Sequence, residues 1–251
     1  MCIAAIAWNA HPRWQLVVAA NRDEFHERPA APLNVWQDAS GIIAGRDLQG
    51  GGTWLGLTEA ARLVLITNYR VPGYPLPDRL SRGGLVTALL GEADPLVVPI
   101  SSYNPFNLLC VAQGEALVLS NHPHDTRLTL PPGVHGLSNG AMTPAWPKTE
   151  ALSLALAGWL TADTDDFAPL FTVLRSESPI TSPPWELGGP EPRLSSVFIN
   201  DPAYGTRCST VVAINAEGHG QITERRFDAL GEQTGETAVT FHWRTCSSQS
   251  A

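Results

Sequence analysis

The chain opens Met1-Cys2, and a cysteine in second place has chemistry open to it that a cysteine elsewhere lacks. Methionine aminopeptidase removes Met1 when the next side chain is small, which would leave Cys2 at the terminus. The residue would then hold a thiol nucleophile and, in its own α-amine of pKa ~7.7–8.0, a base suited to neutral pH. By position alone, an early cysteine in an apolar strand reads as a small core residue. The segment Asn21-Arg22-Asp23-Glu24-Phe25 changes the balance, because it sets four polar or charged groups directly after an apolar stretch. An arginine there lowers a thiol's pKa and holds an anionic substrate or a developing oxyanion, while an aspartate orients the amine. The bland alternative is a solvated turn with a local ion pair. Asn68, in Thr67-Asn68-Tyr69-Arg70, and Asn139, in Leu137-Ser138-Asn139-Gly140, stand just past apolar runs as amide donors to an oxyanion. Asn before Gly is equally a turn signal.

The elements that must position these residues begin with a hairpin. Residues 3–8 and 15–20 are apolar stretches of strand length on either side of a Pro-containing turn. A turn centred near His11 sets Cys2 opposite Ala20 or Asn21, which makes the Asn21–Glu24 segment its neighbour. Gly50-Gly51-Gly52 then turns into a strand at Thr53–Leu57. Further strand patterns cover Arg62–Thr67, Phe106–Ala112, Ala116–Ser120, Ser195–Ile199, Arg207–Ile214, Gln221–Arg226 and Ala238–Trp243. Helical spacing covers Leu80–Ala93, Pro147–Ala162 and Asp165–Arg175. Helices in the middle of the chain, without strand-by-strand alternation, point to an α+β protein with layered antiparallel sheets. One domain over residues 1–251 is expected, with surface loops at 71–77 and 178–192 and a frayed tail at 246–251.

Composition narrows the function. A net charge of −8, one lysine (Lys148) and fifteen dispersed arginines argue against nucleic acid and against a polybasic membrane surface. The apolar start lacks the basic leader of a signal peptide, and no apolar run has the length of a membrane span, so a cytoplasmic protein without integral membrane association is expected. Cys2, Cys110, Cys208 and Cys246 form no CxxC pair, which fits a reducing compartment. His122-Pro123-His124-Asp125 reads as a polar loop rather than a metal site, and Gly50–Gly52 lacks the Lys-Ser/Thr of a phosphate loop. Trp8, Trp36 and Trp54 are candidates to line a pocket, although tryptophans on strands are usually core.

Five ordered segments resemble a known family: Ala20–Phe25, Gly45-Arg46-Asp47, Gly51-Gly52-Thr53-Trp54-Leu55-Gly56, Thr67–Arg70 and Tyr204-Gly205-Thr206-Arg207. They are similar to the motifs of the NRDE family, the transport and Golgi organisation protein 2 family, over nearly the whole chain. The resemblance implies a fold related to N-terminal-nucleophile hydrolases, a four-layer αββα sandwich of two antiparallel sheets. It also implies kinship with the cysteine branch that includes bile salt hydrolase and penicillin V acylase. Carried over residue by residue, Cys2 is the nucleophile, Arg22 and Asp23 its neighbours, Asn139 the oxyanion donor and Arg207 a late arginine of the site. Asn21, Glu24, Trp54, Asn68 and Arg70 are expected to contact substrate. In that branch a residue separates Asn from Asp after the arginine, whereas here Arg22 and Asp23 are adjacent and should face opposite sides of an extended strand. Two functions follow from the resemblance. One is attack by Cys2 on an amide or thioester; the other is non-catalytic binding of haem or acyl-coenzyme A in the same pocket. Any haem would be a non-covalent ligand, because the chain has no CxxCH, and no cofactor is otherwise required. Protein partners are left open by the sequence.

Overall fold

Apolar strand segments, the central ones buried on both faces, build two sheets. The computed structural model describes residues 2–38, 40–181 and 191–243. One sheet has the order β10 (Gly133–Leu137), β1 (Cys2–Trp8), β2 (Trp14–Phe25), β11 (Tyr204–Asn215), β12 (His219–Phe227), β13 (Gln233–His242). The other runs β3 (Ala30–Val35), β4 (Ile43–Asp47), β5 (Leu55–Thr58), β6 (Arg62–Asn68), β7 (Phe106–Ala112), β8 (Glu115–Ser120), β9 (Thr126–Thr129). Every strand pairing in both is antiparallel.

The period of two along each strand sorts side chains between layers. Ala4, Ile6 and Trp8 of β1 and Leu16, Val18 and Ala20 of β2 meet Leu55, Leu57, Leu63 and Leu65 of the second sheet in an inter-sheet core. Ile3, Ala5, Val17 and Ala19 face the other way, onto α2 (Pro147–Thr161) and α3 (Ala168–Leu174) through Leu152, Leu156, Leu170 and Phe171. The outer face of the second sheet packs Val64, Ile66 and Leu108 against Leu85, Val86, Leu89 and Leu90 of α1 (Arg82–Leu90). The result is the expected four-layer αββα sandwich. Pro147 supplies a first-turn residue for α2, and Ser81 caps α1 by accepting from the Gly84 amide at 3.3 Å.

Three sequence expectations change. The first hairpin turns one residue later, around Pro12, with the Asn9 amide donating to Gln15 O, so Cys2 pairs with Arg22 and not with Ala20 or Asn21. Ser195–Ile199 is buried but not a strand, because its amides are taken elsewhere: Phe198 N donates to Ser176 O and Ile199 N to Thr206 Oγ1. Trp8 belongs to the inter-sheet core, and Trp36 packs on the α1 side with its indole N–H on Ala44 O, so neither lines a pocket. The expected loop at 178–192 and the tail at 246–251 fall largely or wholly outside the described residues. No helix among the described residues is long and apolar enough to cross a membrane.

The glycine-rich turn serves packing. A Cβ on Gly52 would stand 2.4 Å from the carbonyl carbon and oxygen of Gly83 in α1, so the close approach of the two backbones requires glycine at position 52. Replacing Gly52→Ala is expected to destabilise the fold by about 1–3 kcal/mol, read from the midpoint of a urea unfolding curve.

Candidate functional site

At the open end of the inter-sheet core, apolar side chains give way to charged ones around a cavity of about 800 Å³. The β1–β2 register sets Cys2 beside Arg22, and the β2–β11 register sets Cys208 on the far side of Arg22. Because paired residues project to the same face, all three point toward the second sheet and line the cavity. Burial pushes the Cys2 thiol up from its ordinary value; the Asp23 charge adds to this, while the Arg22 charge and the Asp23 amide oppose it. Burial therefore favours the neutral thiol over the thiolate.

The four residues of the Asn21–Glu24 segment divide between the layers. Arg22 and Glu24 face the cavity. The Arg22 guanidinium lies 3.5 Å from Asp47 and 3.9 Å from Glu24, and Arg28 donates from Nε to Asp47 at 2.7 Å. Burial works to raise the Asp47 carboxyl, but the Gly50 amide and the Arg28 and Arg22 charges prevail and hold it below the ordinary carboxylate value. Asn21 faces the helices and is fully buried. Its Nδ2 donates to Leu174 O at 2.8 Å and Val197 O at 3.0 Å, and its Oδ1 accepts from Ser209 Oγ at 2.6 Å. That side chain ties β2 to α3, to the 195–199 segment and to β11, and does not reach the cavity. Asp23 is buried with its Oδ1 accepting from Thr206 Oγ1 at 2.7 Å. Burial raises its carboxyl, and the charge of Lys148, a fully buried residue in the first turn of α2, works against that rise. The adjacent Arg22 and Asp23 thus engage partners in different layers, as their spacing implied.

Of the other expected site residues, Glu24, Trp54, Asn68 and Arg207 line the cavity, whereas Asn139 and Arg70 do not. Asn139 is fully buried and donates from Nδ2 to Asn68 O at 2.8 Å. Continuing the β1–β10 register, in which Ala4 pairs with Leu137, by two residues aligns Asn139 with Cys2. Arg70 pairs with Glu191 away from the cavity, and its amide donates to Asn139 O at 2.7 Å. Arg207 is the extra residue of a bulge between Thr206 and Cys208. Its Nη1 donates to Phe25 O, His26 O and Arg28 O at 2.9–3.1 Å, which fixes the turn that leaves β2.

Sequence reasoning missed Asp47, Arg28, Arg82, Glu224 and Cys208. Asp47 stood inside a quoted motif, and its lone carboxylate between Arg46 and a glycine-rich turn was the available signal. Glu224 and Cys208 were visible only through strand register: Glu224 accepts from the Leu33 amide at 2.9 Å and from Arg226 at 3.2 Å.

Comparison with known proteins agrees with the fold. The family model described as "Transport and Golgi organisation 2" matches residues 1–229. The human transport and Golgi organization protein 2 homolog is 34% identical over 256 residues, covering 90% of this chain and 92% of the relative. The bovine homolog is 32% identical over 273 residues, covering 96% and 98%. Among solved structures, a mutant conjugated bile acid hydrolase from Clostridium perfringens superposes with a TM-score of 0.52 at 8% identity, over 98% of each chain. At that identity the likeness is one of fold.

The division of the segment predicts two separable effects. Asn21→Ala, which strands two buried carbonyls and a hydroxyl, is expected to cost about 3 kcal/mol in urea unfolding. Arg22→Gln is expected to cost less, because Asp47 keeps Arg28. The depressed Asp47 carboxyl contributes stability that is complete above the ordinary carboxylate value of about 3.9 and is lost as pH falls through its lower folded value. In an acid titration of stability, Asp47→Asn should therefore show a shallower decline below that pH than the parent.

Proposed function

Because this chain belongs to the transport and Golgi organisation 2 family and has the fold of N-terminal-nucleophile hydrolases, we propose that it is a cysteine hydrolase-like protein acting on an amide or thioester through Cys2. The observation that carries the reading is the pairing of Cys2 with Arg22 at the floor of a cavity of about 800 Å³, a volume suited to a small-molecule ligand.

Removal of Met1 exposes the Cys2 amine, which takes the thiol proton. The thiolate sulfur then attacks the carbonyl carbon and forms a tetrahedral oxyanion. Arg22, paired with Cys2 and lining the cavity, is the donor placed to receive that charge, and Asn139, aligned with Cys2 behind the lining, holds the Asn68 backbone through Nδ2. Collapse of the intermediate breaks the C–N or C–S bond, the amine returns the proton to the leaving group, and water then releases the acyl group from sulfur. Asp23, on the helix side of the strand, orients the amine. Arg207 is a positioning residue, since its Nη1 holds the turn after β2. Glu24, Trp54 and Asn68 contact the bound ligand from the cavity wall. Asn21 and Arg70 act from behind it, through the strand framework and through the Asn139 backbone.

One observation favours a second reading, a carrier that binds haem or acyl-coenzyme A without turnover. Burial holds the Cys2 thiol above its ordinary value, and a neutral thiol is a poor nucleophile.

Intact-mass spectrometry before and after a small thiol-reactive acylating probe separates the readings. Under the hydrolase reading, Met1 is absent, one adduct is confined to Cys2, and Cys2→Ala lowers turnover of a responsive thioester by about 10³-fold or more. Retained Met1, or no adduct at Cys2, excludes the hydrolase. A carrier keeps its haem or acyl-coenzyme A affinity in Cys2→Ala.

A further inference from the structure

The single lysine of the chain is buried where a lysine is costly. Lys148 is fully buried in the first turn of α2, at the end of the helix where the backbone dipole is positive. Burial presses its ammonium toward the neutral form, and Asp23 is the group that most opposes this, followed by Cys2. Its Nζ donates to Leu194 O at 2.8 Å and to Ser196 O at 3.4 Å, and the Trp146 ring centre stands 5.9 Å away. An unbranched apolar side chain of similar length would fill the same space without a buried charge. Packing alone therefore does not account for the ammonium.

The segment that Lys148 holds is the one that Asp23 holds from the other end. Lys148 fixes residues 194–196 through the two carbonyls, while Thr206 accepts from the Ile199 amide at 2.9 Å and donates from the same hydroxyl to Asp23 Oδ1 at 2.7 Å. Two cations bear on this one buried carboxylate. Burial raises the Asp23 carboxyl; the charge of the chain terminus opposes that most, Lys148 next, and Arg22 only after the Thr206 hydrogen bond. The surrounding charges have other partners. Arg22 lies against Asp47 and Glu24 across the strand, and Arg70, which works against the Lys148 charge, pairs with Glu191. Arg82 and the Cys2 thiol act on each other from the cavity side, and Glu150, in the same turn as Lys148, is exposed. With Lys148 charged, Asp23 is already balanced. A charged Cys2 amine would add one uncompensated cation to this buried cluster, and a neutral amine would not.

We propose that Lys148 is a positioning residue of the Cys2 site, which shares Asp23 with the Cys2 amine and so keeps that amine neutral and ready to take the thiol proton. The proton passes from Sγ to the amine nitrogen, and Lys148 keeps its own throughout. The inference rests on the mature chain starting at Cys2, as in the function proposed above, and adds the residue that sets the protonation of its base.

The test follows alkylation of Cys2 by iodoacetamide, an uncharged reagent, against pH in the full chain, with the adduct and the loss of Met1 read by mass spectrometry. Amine and thiol titrate as a coupled pair, so the lowest apparent midpoint of the rate profile is the readout. Lys148→Met removes a positive charge and makes every deprotonation of the pair harder. Its midpoint is expected to rise by about one pH unit or more, a slowing of about tenfold on the rising limb. Lys148→Arg keeps the charge and is expected to keep the parent midpoint. A midpoint unmoved in Lys148→Met, an equal slowing at every pH, or a shift in Lys148→Arg as large as in Lys148→Met overturns the proposal. The parent chain gives a second measurement that needs no variant and decides where Lys148→Met does not fold. Lysine carrying 13C at Cε yields one resonance in this chain, expected at the ammonium position at pH ~7; the neutral position there overturns the proposal. Retained Met1 defeats this inference together with the hydrolase reading. An unmoved midpoint with thioester turnover intact defeats only this inference, and the expected shift without any turnover defeats only the hydrolase reading.

Discussion

The antiparallel pairing of Cys2 with Arg22 is the constraint on which the rest of the site depends. Side chains alternate along β2, so a slip of one residue would carry Arg22 into the helix layer and bring Asn21 into the cavity. Burial on both faces makes such a slip costly, and Asn21 makes it costlier still. Its amide fits three partners drawn from three separate segments, Leu174, Val197 and Ser209, and loses all of them at any other register. The polar half of the segment that faces the helices thus fixes the half that faces the ligand.

Charge then joins the two sheets where the apolar core ends. Asp47 from the second sheet meets Arg22 from the first, and Glu224 from the first meets the Leu33 amide of the second. Both ties lie at the wall of the cavity, where dispersion contacts such as those among Ile6, Val18 and Leu65 no longer close the gap. The glycine-to-glycine approach of Gly52 and Gly83 brings the start of α1, and with it Arg82, to the same wall. Backbone closeness and ion pairing therefore converge on one volume and leave it positively charged inside an acidic protein.

How much of this was legible depends on the range of the interaction involved. The strands Phe106–Ala112 and Glu115–Ser120 and the helix Pro147–Thr161 announced themselves through local periodicity and a first-turn proline. β10 did not, because Gly133-Val134-His135-Gly136-Leu137 is short and interrupted by glycine, yet it is the strand that aligns Asn139 with Cys2. Ser195–Ile199 looked like a strand and is not one, since its amides find partners at Ser176 and Thr206 that no local pattern reveals.

The sequence by itself determined that Cys2 and the Asn21–Glu24 segment would be neighbours across a short hairpin, that antiparallel sheets would be layered with helices, and that Arg22 and Asp23 would part company. All three follow from periodicity and chain connectivity over a few residues. Only the tertiary structure decided which residue meets the thiol, because one residue in the turn shifts every pair. It alone enclosed Asp47, Glu224, Cys208 and Arg82 in one cavity, and it alone sent Asn21 and Arg70 to the framework. Those outcomes depend on contacts between segments tens to hundreds of residues apart, where burial and available partners, not local propensity, set the energy.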